Sequence, residues 1–146
     1  MKLDELGKEL YALNSEIKRI LRTSGFEECG EVEVECDAQN PDEIQLANEY
    51  CRIVEKLDDI SCLMEYFSLP VAKEGKLHLN QNGRYELNGV ELTSGESVEV
   101  LLYDRCMERR EWFASRIESS DGKYYLVGKS SLDLEGLTAR QRKRRW

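Results

Sequence analysis

The sequence predicts an α+β chain: an N-terminal antiparallel helical hairpin followed by a small SH3-like β-barrel. Three observations carry this. Leu3, Leu6, Leu10, Leu13, Ile17 and Ile20 recur at alternating steps of three and four, the seam of an amphipathic helix. Leu46, Tyr50, Ile53, Leu57, Ile60, Met64 and Phe67 repeat that alternation. From Lys76 the period drops to two and turn pairs follow at short intervals, as in a unit of short strands.

The first helix spans about 20 residues, and Thr23-Ser24-Gly25 stops it, since Gly25 tolerates the left-handed conformation that helix ends favour. The second starts at Asn40-Pro41-Asp42-Glu43: a capping side chain, a residue suited to the first turn, and two acids opposing the helix dipole. It runs to Leu69-Pro70. Two matching seams are buried most simply by pairing within the chain, with a homodimer through the same seams as the competing solution. Between the helices, residues 23–40 form an acidic connector in which Glu31-Val32-Glu33-Val34-Glu35-Cys36 alternates with strand period, and a short extended segment is expected there.

The β-unit is read from its turns. Leu77 to Leu79 runs into Asn82-Gly83, and Arg84 to Leu87 turns at Asn88-Gly89 into Val90 to Leu92. Ser94-Gly95 leads to Val98 to Tyr103, while Trp112 to Ile117 and Lys123 to Val127 flank Asp121-Gly122. Five or six strands in so few residues would expose flat edges, so closure is expected. The domains are then 1–72, the helical hairpin; 76–142, the barrel; and 143–146, a basic tail.

Charge divides along the chain. The net charge is −8 over 146 residues, yet residues 1–75 hold 18 acids and 8 bases (−10) and residues 76–146 hold 11 acids and 13 bases (+2). Glu27, Glu28, Glu31, Glu33, Glu35 and Asp37 fall in the connector with no base among them, whereas Arg140, Arg142, Lys143, Arg144 and Arg145 crowd the C-terminus beside Trp146.

The run from Gly83 to Gly95, with the Val98-Glu99-Val100 strand, the Trp112 strand, Tyr124-Tyr125-Leu126 and Leu137-Thr138-Ala139-Arg140, resembles a small bacterial β-domain family of unknown function, seen in Gram-positive genomes and mobile elements. The resemblance covers residues 77–142. It implies a fold and a genomic setting and brings no activity with it.

Chemistry is sparse. His78 is the only histidine and has no nucleophile nearby in sequence, and no phosphate-cradling Gly-rich loop is present. Five cysteines, an odd number without a C-x-x-C pair, suit reduced thiols in a cytoplasm; Cys29 and Cys36 would need two further ligands to hold zinc. No membrane segment, cofactor, metal or catalytic residue is expected. Across an Asn88-Gly89 turn Glu86 faces Glu91, with Arg84 or Arg116 able to neutralise the pair.

Three functions follow. The first is a non-enzymatic protein-binding module, an anti-defence inhibitor of, for example, a CRISPR nuclease, whose six connector acids imitate a phosphate backbone and engage a basic surface on a nucleic-acid-binding enzyme. The second is a nucleic-acid-binding accessory protein using the barrel and Arg140, Arg142, Lys143, Arg144, Arg145 and Trp146. The third is a small metal-dependent hydrolase built on Glu86 and Glu91.

Overall fold

The computed structural model describes residues 1–144. The chain divides into two compact units, Met1–Ser68 and the remainder from Leu69.

In the first unit, α1 (Leu3–Thr23) opens with the Glu5 carboxylate accepting the Lys2 backbone N–H at 2.9 Å. It stops as expected: Thr23 bonds back to the Arg19 carbonyl, and Gly25 sits at φ 81°. Gly25 leads directly into a single turn, α2 (Phe26–Cys29). α3 (Pro41–Ser68) begins on the expected cap, with the Asn40 Oδ1 accepting the Asp42 and Glu43 N–H groups at 3.1 and 3.4 Å.

The two long helices pack through Ile17, Leu21 and Val54, with Ile20, Phe26, Val32, Leu57 and Met64 partly buried around them. Lys18 also pairs with Glu65. This departs from the expected pairing of whole seams. Leu6, Leu10 and Leu13 on α1, and Leu46, Tyr50, Ile53, Ile60 and Phe67 on α3, are all exposed, whereas Val54 and Ser61, one residue beyond the seam, are buried. Two helices form only one interface, and this one runs along one edge of each apolar stripe.

The connector is a turn of helix followed by extended chain without a ladder, so the strand period of residues 31–36 has no strand partner. Val32 uses its alternation differently, packing into the helical core while Val34 stays exposed.

The second unit is one curled antiparallel sheet of seven strands: β1 (Val71–Leu79), β2 (Tyr85–Leu87), β3 (Val90–Glu91), β4 (Ser97–Asp104), β5 (Arg109–Ser120), β6 (Lys123–Leu126) and β7 (Thr138–Arg142), in the order β3-β2-β1-β7-β4-β5-β6. Two strands bridge successive ladders. β1 pairs β7 through Val71–Lys76 and β2 through Leu77–Leu79, and β5 pairs β4 through Arg109–Arg116 and β6 through Ile117–Ser120. The sheet thereby wraps Leu77, Leu87, Leu92, Val98, Val100, Ile117, Leu126, Leu134 and Ala139, each 1% exposed or less. It starts at Val71 rather than at residue 76.

The turns behave as their residues require. Asn88-Gly89 has φ 53° and 77°, and Asp121-Gly122 has 52° and 75°. Both central residues are left-handed, as a two-residue turn joining twisted strands demands. Gly75 is needed for a different reason: a Cβ there would lie 2.2 Å from the Asn88 Oδ1, and Asn88 ties the β2–β3 turn to the Glu74 carbonyl at 3.2 Å.

Candidate functional site

The acidic connector is the feature with unspent charge. Glu27 and Glu28 ride on α2, and Glu31, Glu33, Glu35 and Asp37 follow along the extended chain; all six are exposed. Backbone bonds hold its ends, with the Glu33 N–H on the Ser24 carbonyl at 3.1 Å and the Asp37 N–H on the Glu43 carboxylate at 2.7 Å. Asp37 accepts the Gln39 N–H at 2.9 Å. Among the described residues none of the six carboxylates joins an ion pair.

The C-terminal arginines are arranged otherwise. Arg140 and Arg142 lie within β7, two residues apart and so on the same face of the sheet. Across the ladder, Glu99 of β4 stands opposite Arg140 and is 1% exposed, while its neighbours Val98 and Val100 point into the core. The Arg140 Nε and Nη2 donate to the Glu99 Oε1 at 3.0 and 2.9 Å, and the Arg142 Nε donates to its Oε2 at 2.6 Å. Arg142 also donates to the Leu69 carbonyl at 2.8 Å, and the Arg140 guanidinium lies 4.0 Å from the centre of the Trp112 ring. Arg144 pairs with Glu96, and the Lys143 N–H bonds the Pro70 carbonyl at 2.8 Å. Arg140 and Arg142 are therefore strand residues, and Lys143 and Arg144 are tied down just beyond the strand's end. Arg145 and Trp146 lie outside the described residues.

The Glu86–Glu91 juxtaposition is present in the expected register. Its repulsion is relieved by amides: the Asn80 Nδ2 donates to both carboxylates, at 3.2 and 3.0 Å, and the Asn82 Nδ2 donates to Glu91 at 3.2 Å, with Arg84 at 3.5 Å. Arg116 goes to Glu118 instead. No cluster of three or more metal-ligating side chains occurs among the described residues, and Cys29, Cys36, Cys51, Cys62 and Cys106 are all free thiols. His78 sits 3.1 Å from Glu135, which also accepts the Leu79 N–H at 2.6 Å.

Glu135, Tyr85 and Cys62 titrate away from their ordinary values. The Leu79 N–H, then His78, hold the exposed Glu135 carboxyl down. Burial, then Asp133 and Glu135, push the Tyr85 phenol up. Burial, then Asp58, Glu65 and Asp59, push the Cys62 thiol up and so keep it protonated. None of these neighbourhoods joins a nucleophile to a base.

Glu99 is the residue that the pattern analysis passed over. A signal for it exists: Glu99 interrupts a run of buried β-branched and aliphatic residues, and Arg140 and Arg142 share its period of two.

A helical N-terminal unit followed by a curled seven-stranded antiparallel sheet defines the chain as an α+β protein. Residues 75–141 match the family described as a domain of unknown function, DUF5348, so that domain occupies most of the sheet. No curated protein and no solved structure matches the chain. No helix among the described residues is long and apolar enough to cross a membrane.

Proposed function

We propose that the chain is a non-enzymatic protein-binding module whose acidic connector occupies a basic groove on a nucleic-acid-binding enzyme, in the manner of a mobile-element anti-defence inhibitor of a CRISPR nuclease. The observation that carries this reading is the contrast in charge. Six exposed carboxylates in the connector have no ion pair among the described residues, while Arg140, Arg142 and Arg144 are already satisfied by Glu99 and Glu96. Carboxylates spaced along extended chain offer a basic groove the charge pattern of a nucleic-acid backbone without a duplex to unwind. On this reading the helices form an antiparallel hairpin that holds out the connector, the curled sheet is an SH3-like folded anchor, and the protein works in the cytoplasm with its thiols reduced.

The nucleic-acid-binding alternative has lost charge rather than gained it, because two of its arginines share one buried carboxylate. For the hydrolase alternative, no third metal-ligating side chain joins Glu86 and Glu91 among the described residues.

The test uses a purified CRISPR nuclease and its labelled target duplex. Added chain should displace the duplex, less so as salt rises, and the variant Glu27→Gln, Glu28→Gln, Glu31→Gln, Glu33→Gln, Glu35→Gln, Asp37→Asn should lose the effect while keeping its fold. Undiminished displacement by that variant, or none by the parent chain at low salt, would overturn the reading.

A further inference from the structure

We propose that the cavity between α1, α2 and α3 receives an arginine side chain of the basic partner, as an anchor beside the acidic connector; the choice of partner rests on the function proposed above. The cavity has a cause in the sequence. Val54, Leu57, Ser61 and Met64 follow one another by three or four residues along α3 and so share the face turned to α1. Ser61 is the small member of that row. Where the two helices are otherwise filled by longer aliphatic side chains, a hydroxymethyl group leaves space beside it, and a cavity of about 130 Å³ lies there, with Leu21 of α1 on its wall. A single water needs only ~10–15 Å³ of such space.

Ser61 itself points to a ligand. The residue is 4% exposed, and its hydroxyl has no hydrogen-bond partner among the described residues, not even the carbonyl one turn back that a serine in mid-helix commonly takes. A polar group so deeply placed is costly to leave unmatched. Its oxygen is not sealed in the protein, and the space it opens on is the cavity. The rest of the lining is mostly negative. α2 contributes Glu27, and Asp58 and Glu65 lie three residues before and four after Ser61, hence on the same face of α3. Lys18 of α1 pairs with Glu65, whereas Glu27 and Asp58 join no ion pair among the described residues. Three carboxylates against one ammonium leave the lining at −2. The Cys62 thiol, held protonated and 4.0 Å from the Asp58 Oδ1, adds no charge.

These groups select a guanidinium. An anion would meet like charge, and among the described residues the carboxylates do not gather into a metal-ligating set. An ammonium is compact and strongly hydrated, whereas a guanidinium is planar, weakly hydrated and carries its N–H donors in a fixed fork. Such a fork can serve the Glu27 and Asp58 carboxylates and still donate to the Ser61 hydroxyl oxygen, while Leu21 offers an apolar wall. Charge-assisted bonds of this kind are the strong ones, and arginine seated in a pocket is a common anchor of protein interfaces. Glu27 belongs to the cavity and to the connector alike. A basic groove that receives the connector's acids therefore brings its own arginines to the cavity.

Titration of the isotope-labelled full chain with ethylguanidinium, and separately with ethylammonium, tests this through the backbone amide NMR resonances. Ethylguanidinium should shift the Ser61, Cys62 and Glu27 resonances saturably and bind about tenfold more tightly than ethylammonium. Ser61→Leu, which fills the cavity and keeps every carboxylate, should abolish the saturable response and leave helicity by circular dichroism unchanged. Asp58→Asn should weaken binding about tenfold, near the worth of one hydrogen bond to a charged group. No saturable shift, equal binding of the two cations, or an undiminished response in Ser61→Leu would overturn the proposal; should Ser61→Leu lose helicity, an undiminished response in Asp58→Asn would do so. The titration needs no nuclease, so the two readings fail separately. A chain that displaces the duplex but binds no ethylguanidinium loses only the arginine anchor, and one that binds ethylguanidinium while displacing no duplex loses the CRISPR nuclease as partner and keeps the arginine cavity.

Discussion

The two units of this chain bury their apolar residues to very different depths. In the sheet, nine core side chains are 1% exposed or less; in the helical unit three residues, at 2–8%, make up the buried core. The difference is geometric. A curled sheet is its own second layer, so strands that alternate inward and outward close on one another. Two helices share a single line of contact and leave the rest of any wide apolar face in water. The sheet is therefore complete within its own unit, and the helical pair carries apolar surface beyond what its own packing covers.

The sharpest way to break the comparison is at Glu99, the one buried charged group among the described residues of the sheet. Glu99→Leu removes the carboxylate that the Arg140 and Arg142 guanidiniums share, and removing one member of a buried ion cluster costs about 3–5 kcal/mol. Arg140 keeps the Trp112 ring and Arg142 keeps the Leu69 carbonyl, so the lower end is expected. Replacing all three, Glu99→Leu with Arg140→Met and Arg142→Leu, should recover most of the loss. Urea unfolding of the three proteins decides it; a triple variant as unstable as the single one would show that the cluster holds the strands in register as well.

Leu87→Ala and Leu13→Ala next set the two cores side by side. Leu87 is fully buried, so its truncation should cost about 2–5 kcal/mol. Leu13 is 52% exposed, and the same truncation should cost well under ~1 kcal/mol in dilute protein. Leu13→Asp, which the seam alone predicts to unfold the first unit, should likewise leave it helical by circular dichroism. Equal losses at the two leucines would mean that the helical core extends further than its burial indicates.

Much of this architecture is legible in the residues, and the misses have a common cause. Local signals fix what depends on a few neighbours: the Asn40 cap, the Gly25 stop, the left-handed Asn88-Gly89 and Asp121-Gly122 pairs, and with them the Glu86–Glu91 register. Periodicity reports that a face is apolar without reporting what covers it, so Ile17 and Leu13 read alike although one is buried and the other is not. The connector's period of two gave the short extended segment that is found, and no ladder forms there because a ladder needs a partner edge. Arg140 and Arg142 read as candidate nucleic-acid contacts because a cluster of bases near the C-terminus carries no mark of Glu99, some forty residues away in sequence; only the shared period of two links them. The connector acids, needing no partner, are where charge alone places them.

The smallest expected effect sharpens the comparison from the sheet side. Glu135 is exposed, yet the Leu79 N–H and His78 hold its carboxyl below the ordinary range. A carboxyl lowered in the folded state contributes stability that is fully present above its unfolded value and lost as pH falls through the folded one. Glu135→Gln should therefore lower the urea midpoint slightly at neutral pH, and the gap to the parent chain should close only on acidification past the ordinary carboxylate range, as the parent carboxyl also takes up its proton. A deficit of the same size at both pH values would assign the contribution to the shape of the side chain, with the Leu79 N–H served as well by an amide oxygen as by a carboxylate.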